Sequence, residues 1–191
     1  MRHINNAISK ANRMLGLIKR SFCYMDMDMF VHLYKTLVRP HLEYGNVIWH
    51  PHYKRQSCAV EKVQRRATKL VGCMKNLSYQ ERLQKLKLPA LKYRRLRGDL
   101  IQVYKIFQGI DNTEFCNFFH LTLIDETRNV TNKLLIKYSR TNIRKNCFSN
   151  RIAPYWNMLP VHVKQANNIN TFKSLLDQTE QISSLKFYFD E

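Results

Sequence analysis

The sequence predicts a mainly α-helical protein, in which a basic helical bundle is followed by a smaller α+β region with a β-hairpin and short helices. Apolar residues recur every three or four positions through residues 1–109, which is the spacing of helices that bury one face. Positive charge is concentrated there too, with 22 Lys and Arg against 6 Asp and Glu, whereas residues 110–191 contain 10 against 8. We therefore expect a helical domain over 1–109, a C-terminal region over 110–182 and a weakly ordered tail over 183–191.

The composition is that of a folded protein from a reducing compartment. A chain of 191 residues, 45% of them apolar, can bury a core. No segment approaches the ~18 uninterrupted apolar residues of a membrane span, and residues 1–6 lead into no apolar secretion signal. We expect an intracellular protein, in the nucleus and cytoplasm, that is not secreted. Five cysteines without a CxxC pair predict reduced thiols that pack as small core residues: Cys23, Cys58, Cys73, Cys116 and Cys147.

The first helices are indicated by apolar stripes and by a proline. Residues 2–20 form one amphipathic helix. Asp28 can cap the next helix by accepting hydrogen bonds from its free amides. That helix must end near Arg39, because Pro40 disfavours a helical residue before it. Pro40 itself suits the first turn of a new short helix.

The most informative element is a helix over residues 58–73 that is apolar on one side and basic on the other. Ser57 can cap it, and Gly72 lies near its end. Its apolar side holds Val60, Val63, Ala67, Leu70 and Val71. Its basic side holds Lys62, Arg65, Arg66 and Lys69. Such a side is either the solvated face of an ordinary surface helix or a surface that contacts phosphates.

A second basic helix is predicted over residues 90–108, after a short helix that ends at about Lys87. Ser78 and Glu81 have the spacing of a capping box at the start of the short helix. The basic residues of the second helix are Arg94, Arg95 and Arg97. The run that contains them could serve as a nuclear localisation signal, but duplex contact is favoured because Leu96 should be buried.

After Gly109 positive and negative charges are nearly balanced, and the helical spacing of apolar residues is weaker. β-Branched alternation over residues 129–148, at Val130, Leu134 and Ile136, is compatible with a hairpin. Residues 149–158 predict a short helix despite Pro154, and a last helix can be capped by Asn170 or Thr171. Three cations here could contact RNA or could be solvated hairpin charges: Arg144, Lys145 and Arg151.

Two groups of residues suggest a metal site, but neither has the arrangement that such a site needs. Tyr24-Met25-Asp26-Met27-Asp28 is similar to a YxDD turn, but the fourth position is Met27 and a helical stripe follows. A zinc set of His50, His52, Cys58 and Cys73 would need ligands at both ends of one helix, about 22 Å apart. The larger aromatics are interpreted as core residues rather than base-stacking platforms: Tyr44, Trp49, Tyr155 and Trp156.

Several dispersed blocks resemble the thumb and the following region of jockey-like non-LTR retrotransposon (LINE-type) reverse transcriptases. They are Leu33-Tyr34-Lys35-Thr36-Leu37-Val38-Arg39-Pro40-His41-Leu42-Glu43-Tyr44-Gly45, Trp49-His50-Pro51, Glu61 to Val71, Ser139 to Arg151, and Tyr155-Trp156-Asn157-Met158-Leu159-Pro160. The similarity extends from about Asn12 to Leu176 and keeps the blocks in order.

The resemblance implies a helical, thumb-like domain that grips a template–primer duplex. It also implies that this chain is a C-terminal fragment and not an enzyme as it stands, since the palm with its YxDD motif and the endonuclease would lie upstream. Mg²⁺ would belong to that palm, so no cofactor is expected here. The expected partners are RNA and DNA and the palm and fingers of the same polyprotein, with no membrane and no small-molecule substrate.

The first hypothesis is therefore a nucleic-acid-binding fragment that neutralises backbone phosphates. Its expected binding residues are Lys62, Arg65, Arg66, Lys69, Arg94, Arg95, Arg97, Arg144, Lys145 and Arg151. Two alternatives stay open. The chain could be a nuclease that uses His50 or His52, or a structural protein whose amphipathic helices mediate oligomerisation.

Overall fold

The computed structural model describes residues 2–122 and 132–189 and has two compact units. The first unit comprises Met1–Arg95 with Ser184–Glu191, and the second comprises Leu96–Ser183. The described chain is mainly helical, so the predicted fold class is confirmed at that level. The boundary between the two units lies within a helix, between Arg95 and Leu96. The sequence predicted a domain boundary later in the chain, at Gly109.

Among the described residues, six α-helices belong entirely to the first unit, and a seventh begins in it. They are α1 (Arg2–Ser21), α2 (Met27–Leu33), α3 (Arg39–Glu43), α4 (Asn46–Trp49), α5 (Lys54–Ala67), α6 (Tyr79–Lys85) and α7 (Leu91–Phe107). The helix α1 packs against α3 and α5. It does so through the apolar stripe seen in the sequence, because Ile4, Ala11, Leu15 and Ile18 are all buried.

A π-helical segment, Tyr34–Val38, joins α2 to α3 without a break. The helical path therefore continues past the predicted end near Arg39, while the prediction that Pro40 lies in the first turn of a new short helix, α3, is confirmed. A π-turn widens the helix, which accommodates a proline that has no N–H to donate. The cap of α2 is also corrected: Asp26 rather than Asp28 accepts from the N–H of Met29, at 2.7 Å.

Buried polar contacts join α5 to its neighbours. The Tyr34 hydroxyl donates to Oε1 of Gln64 at 2.6 Å, and Nε2 of Gln64 donates to the Pro89 carbonyl at 3.0 Å. The capping box of Ser78 and Glu81 is confirmed at the start of α6. Ser57 does not cap α5, which begins three residues earlier after Tyr53.

The second unit continues with short helices after α7. They are α8 (Asn142–Lys145), α9 (Phe148–Met158), α10 (Val161–Lys164), α11 (Ile169–Gln178) and α12 (Glu180–Ser183), with a 3₁₀ turn at Phe115–Asn117. Their core is aromatic: Trp156 is fully buried, and the rings of Tyr104 and Phe172 stack at 4.3 Å. The Tyr104 hydroxyl donates to the Ala166 carbonyl at 2.6 Å.

The predicted β-hairpin is not shown by the described residues. Leu134 forms an isolated antiparallel bridge with Leu121, and α8 occupies part of the predicted hairpin. Val130, which was part of the alternating pattern, lies outside the described residues. The cap of α11 is corrected as well, because Asn168 accepts from the N–H of Thr171 at 2.8 Å.

The tail and the cysteines differ from their predictions. The carbonyl of Lys186 accepts from the N–H of Ala90 at 2.8 Å, and Phe189 is buried, so residues 184–189 pack within the first unit. The cysteines are free but are not core residues, since four are exposed and Cys58 is half-buried. Within the described ranges, no helix combines the length and the apolar character needed to cross a membrane.

Candidate nucleic-acid interface

The exposed face of α5 carries a single line of cations. Arg55, Lys62, Arg66 and Lys69 are all exposed, the last in the 3₁₀ turn that extends the helix. Their spacings of seven, four and three residues keep them on one side. At ~1.5 Å per residue the line is about 21 Å long. Sequence reasoning missed Arg55 because it began the helix at residue 58, although the seven-residue spacing from Lys62 was a usable signal.

The helix α1 lies beside this line and adds cations without acids. Nη2 of Arg66 donates to Oδ1 of Asn12 on α1, at 3.1 Å. No Asp or Glu occurs in α1. Its exposed cations are Arg2, Lys10, Arg13, Lys19 and Arg20. We call the exposed cations of α1 together with Arg55, Lys62, Arg66 and Lys69 the α1–α5 surface.

The one acid of α5, Glu61, faces the interior. It is 1% exposed and accepts from the Tyr79 hydroxyl at 2.6 Å and from the N–H of Leu91 at 3.1 Å. The second bond caps the start of α7, where a carboxylate is favourable. Burial raises the pKa of Glu61, while the bonds from Tyr79 and Leu91 and the nearby charge of Arg95 oppose that rise. The hydrogen bonds of Glu61 therefore join α5 to α6 and α7, and its burial leaves the outer face of α5 without an acid.

Arg65 differs from the other predicted cations of this helix. It is half-buried, and its guanidinium lies 4.9 Å from the centroid of the Tyr79 ring. A cation in this position interacts with the ring face and covers apolar surface. Arg65 therefore links α5 to α6, and its contact with phosphate stays a prediction.

The three predicted arginines of α7 have internal partners. Arg94 binds Glu43 through two hydrogen bonds, of which that from Nη2 is 3.0 Å long. Arg95 is 2% exposed and donates to Oγ of Ser57 at 3.0 Å. Arg97 pairs with Asp177 through bonds of 2.6 and 2.8 Å. Each guanidinium is used inside its own unit, so phosphate contact here would have to displace an existing partner.

The predicted cations of the second unit also fall into two classes. Arg144 and Lys145 are exposed on α8. Arg151 is mostly buried and donates from Nη2 to Oδ2 of Asp99 at 3.0 Å. Its guanidinium also lies over the ring of Phe148. Arg151 thus connects α9 to α7, and its contact with RNA stays a prediction.

The residues of the rejected metal sites have other environments. Asp26 is the cap of α2, and Asp28 is exposed in the first turn of that helix. Within residues 2–122 and 132–189, no three His, Cys, Asp or Glu side chains are grouped to hold a metal ion. The interpretation of the aromatics as core residues is right for Trp156. It is wrong for Tyr44, which is 81% exposed, and for Tyr155, which is 45% exposed.

No protein-family model, curated protein or solved structure matches the chain.

Proposed function

We propose that the chain binds nucleic acid through the α1–α5 surface and grips a template–primer duplex by its backbone phosphates. The observation that carries the proposal is a set of exposed Lys and Arg on two helices that pack together, whose only acid, Glu61, is buried. Such a face attracts a polyanion whatever its sequence. Phosphate contacts of this kind fix the position of a duplex but do not read its bases.

The length of the surface suits a duplex. One duplex turn rises about 34 Å, so a line of about 21 Å extends along more than half of a turn. The four cations of the line can then contact phosphates along that length, while α1 supplies further charge. Helices fixed by a packed core hold this charge in place without the entropic cost of ordering a loop.

Within this proposal the chain is the thumb and the following region of a non-LTR retrotransposon reverse transcriptase. It holds the duplex and performs no chemistry, and the metal-binding carboxylates belong to the palm of the same polyprotein. The sequence blocks quoted above support this identity. A nuclease that uses His50 or His52 is the competing enzyme hypothesis. Cleavage of labelled RNA or DNA in Mg²⁺, abolished by His50→Ala, would favour it over the proposal.

The test is the salt dependence of binding to a short fluorescent RNA–DNA duplex, measured by anisotropy. We expect the triple variant Lys62→Gln, Arg66→Gln, Lys69→Gln to bind more weakly between about 50 and 200 mM salt. The slope of log affinity against log salt concentration should fall by about 2.7, since each phosphate contact contributes about 0.9. Arg65 is left unchanged because its substitution would also disturb the contact with Tyr79.

A matched control removes the same charge elsewhere in the first unit. Lys35, Lys75 and Lys85 are exposed and lie outside α1 and α5. Their triple change to Gln should leave most of the affinity and most of the slope. Equal losses in the two triple variants would show that net charge, and not the α1–α5 surface, determines binding. Absence of any duplex binding at low salt, together with tight dimerisation by light scattering, would instead support the oligomerisation hypothesis.

A further inference from the structure

A second cationic surface lies in the second unit, on the segment that precedes and includes α8. Residues 135–139 have no regular secondary structure, a bend follows, and α8 then ends at Lys145. We call residues 135–145 the basic segment. It belongs to the second compact unit, whereas the α1–α5 surface belongs to the first.

The basic segment is fixed in place by two asparagines of α9. Asn157 exchanges two hydrogen bonds with the backbone of Leu134, of 2.8 and 2.9 Å. Asn150 donates from Nδ2 to Oγ of Ser139 at 2.7 Å and to the Arg144 carbonyl at 3.0 Å. Asn150 and Asn157 are seven residues apart and so lie on one side of the helix. The helix α9 therefore holds the residue before the segment, the middle of the segment and α8, which orders the segment before any partner binds.

The fixed segment presents large side chains to solvent. Tyr138 is 89% exposed and Ile143 is 84% exposed, and Ile136 is more than half exposed. A tyrosine with so little cover contributes almost nothing to the stability of its own unit. Because hydrogen bonds from α9 hold the chain before and after Tyr138, the ring has a defined position on the surface.

The charge around this tyrosine is of one sign. Residues 132–151 contain six Lys and Arg and no Asp or Glu, although the chain after residue 109 is nearly balanced. Lys133 is half-buried and Arg151 is paired with Asp99. The exposed cations of the basic segment are Lys137, Arg140, Arg144 and Lys145. Lys137 precedes Tyr138 in the sequence, and the other three cations follow it.

We propose that the basic segment binds an unpaired nucleic-acid strand, with a base stacked on Tyr138 and phosphates held by the four exposed cations. An exposed aromatic ring among cations suits a single strand, because an unpaired base offers its flat face while a paired base does not. A membrane surface or a partner helix is usually bound by an amphipathic helix of several turns, whereas the helix of this segment, α8, has four residues. The site does not depend on the α1–α5 surface.

The test uses the full chain and fluorescent single strands of uridine or thymidine. To remove the contribution of the other surface, all variants are made in the Lys62→Gln, Arg66→Gln, Lys69→Gln background. In that background Tyr138→Ala should weaken single-strand binding by about 5- to 150-fold, as expected for the loss of one stacked base. Tyr138→Phe keeps the ring and should keep the affinity. Tyr155→Ala, at an exposed tyrosine of α9, is the matched control and should have no effect.

The phosphate contacts are tested separately. Arg144→Gln with Lys145→Gln should lower the salt slope for a single strand by about 1.4, at about 0.7 for each contact. Stronger binding of the uridine strand would identify the partner as RNA, and stronger binding of the thymidine strand would identify it as DNA. Unchanged affinity in Tyr138→Ala overturns the proposal, and so does an equal loss in Tyr138→Phe. Binding of anionic lipid vesicles without binding of either strand also overturns it. None of these results bears on duplex binding by the α1–α5 surface.

Discussion

The helices α5 and α7 are both rich in Lys and Arg, yet they use their cations in opposite ways. The cations in line on α5 are exposed, and the acid of that helix is buried. The arginines of α7 face carboxylates instead: Arg94 binds Glu43, and Arg97 binds Asp177. A basic run in a sequence therefore does not define a binding surface. The position of the nearest carboxylate decides whether an arginine is available to a phosphate or stabilises the fold.

Asp99 provides the strongest test of the internal role of α7. It is 2% exposed and pairs with the largely buried Arg151. Asp99→Ala would leave the Arg151 charge buried without its carboxylate, and we expect the free energy of unfolding to fall by roughly 3–5 kcal/mol. Denaturant unfolding measures this. Asp28→Ala, which removes an exposed acid from a first helical turn, should cost less than about 1 kcal/mol. A loss in Asp99→Ala no larger than that of the control would mean that the pair is not structural.

Arg94 and Lys62 test the contrast between the two helices directly. Arg94→Gln removes a partly buried ion pair and should lower stability by roughly 1–2 kcal/mol, with no change in the salt dependence of duplex binding. Lys62→Gln should leave stability within about 0.5 kcal/mol and lower the salt slope by about 0.9. Each variant is measured by denaturant unfolding and by anisotropy. If Arg94→Gln lowers the salt slope as much as Lys62→Gln does, the two helices do not differ in function.

The local part of the fold could be predicted from the sequence. The stripes of α1 and α5 and the capping box of α6 depend on residues three or four positions apart, and a periodic pattern records them. Helix ends were less predictable, because several residues near an end can cap it. Asp26 and Asp28 both suit the start of α2, and the backbone path selects the first.

The candidate site was only partly predictable, because ion pairs join residues that are distant in sequence. Glu43 and Arg94 are 51 residues apart, and Arg97 and Asp177 are 80 apart. No local pattern in the sequence shows that these arginines have partners. In the sequence they could therefore not be distinguished from the exposed cations of α5. The predicted hairpin had a similar origin. Alternating residues such as Leu134 suggested a strand ladder, but the backbone of Leu134 bonds to the side chain of Asn157.

The smallest expected effect concerns Glu61, whose burial keeps the outer face of α5 free of acids. Burial raises its folded-state pKa above the ordinary value of 4.5, so folding favours the protonated form. Its contribution to stability is fully present below pH 4.5 and is lost as pH rises through the raised pKa. Glu61→Gln does not titrate and keeps an oxygen for the N–H of Leu91. Its free energy of unfolding should therefore differ from that of the parent by about 1 kcal/mol.

The free energy of unfolding of Glu61→Gln, relative to that of the parent, should therefore increase as pH rises above 4.5. Urea unfolding of both proteins across this range measures the difference, in which the other carboxylates cancel. A difference that is constant with pH would show that Glu61 titrates as an exposed acid does, and a difference that decreases would show that its hydrogen bonds and the charge of Arg95 outweigh burial. Either result would mean that burial does not determine the protonation of Glu61 in the folded protein.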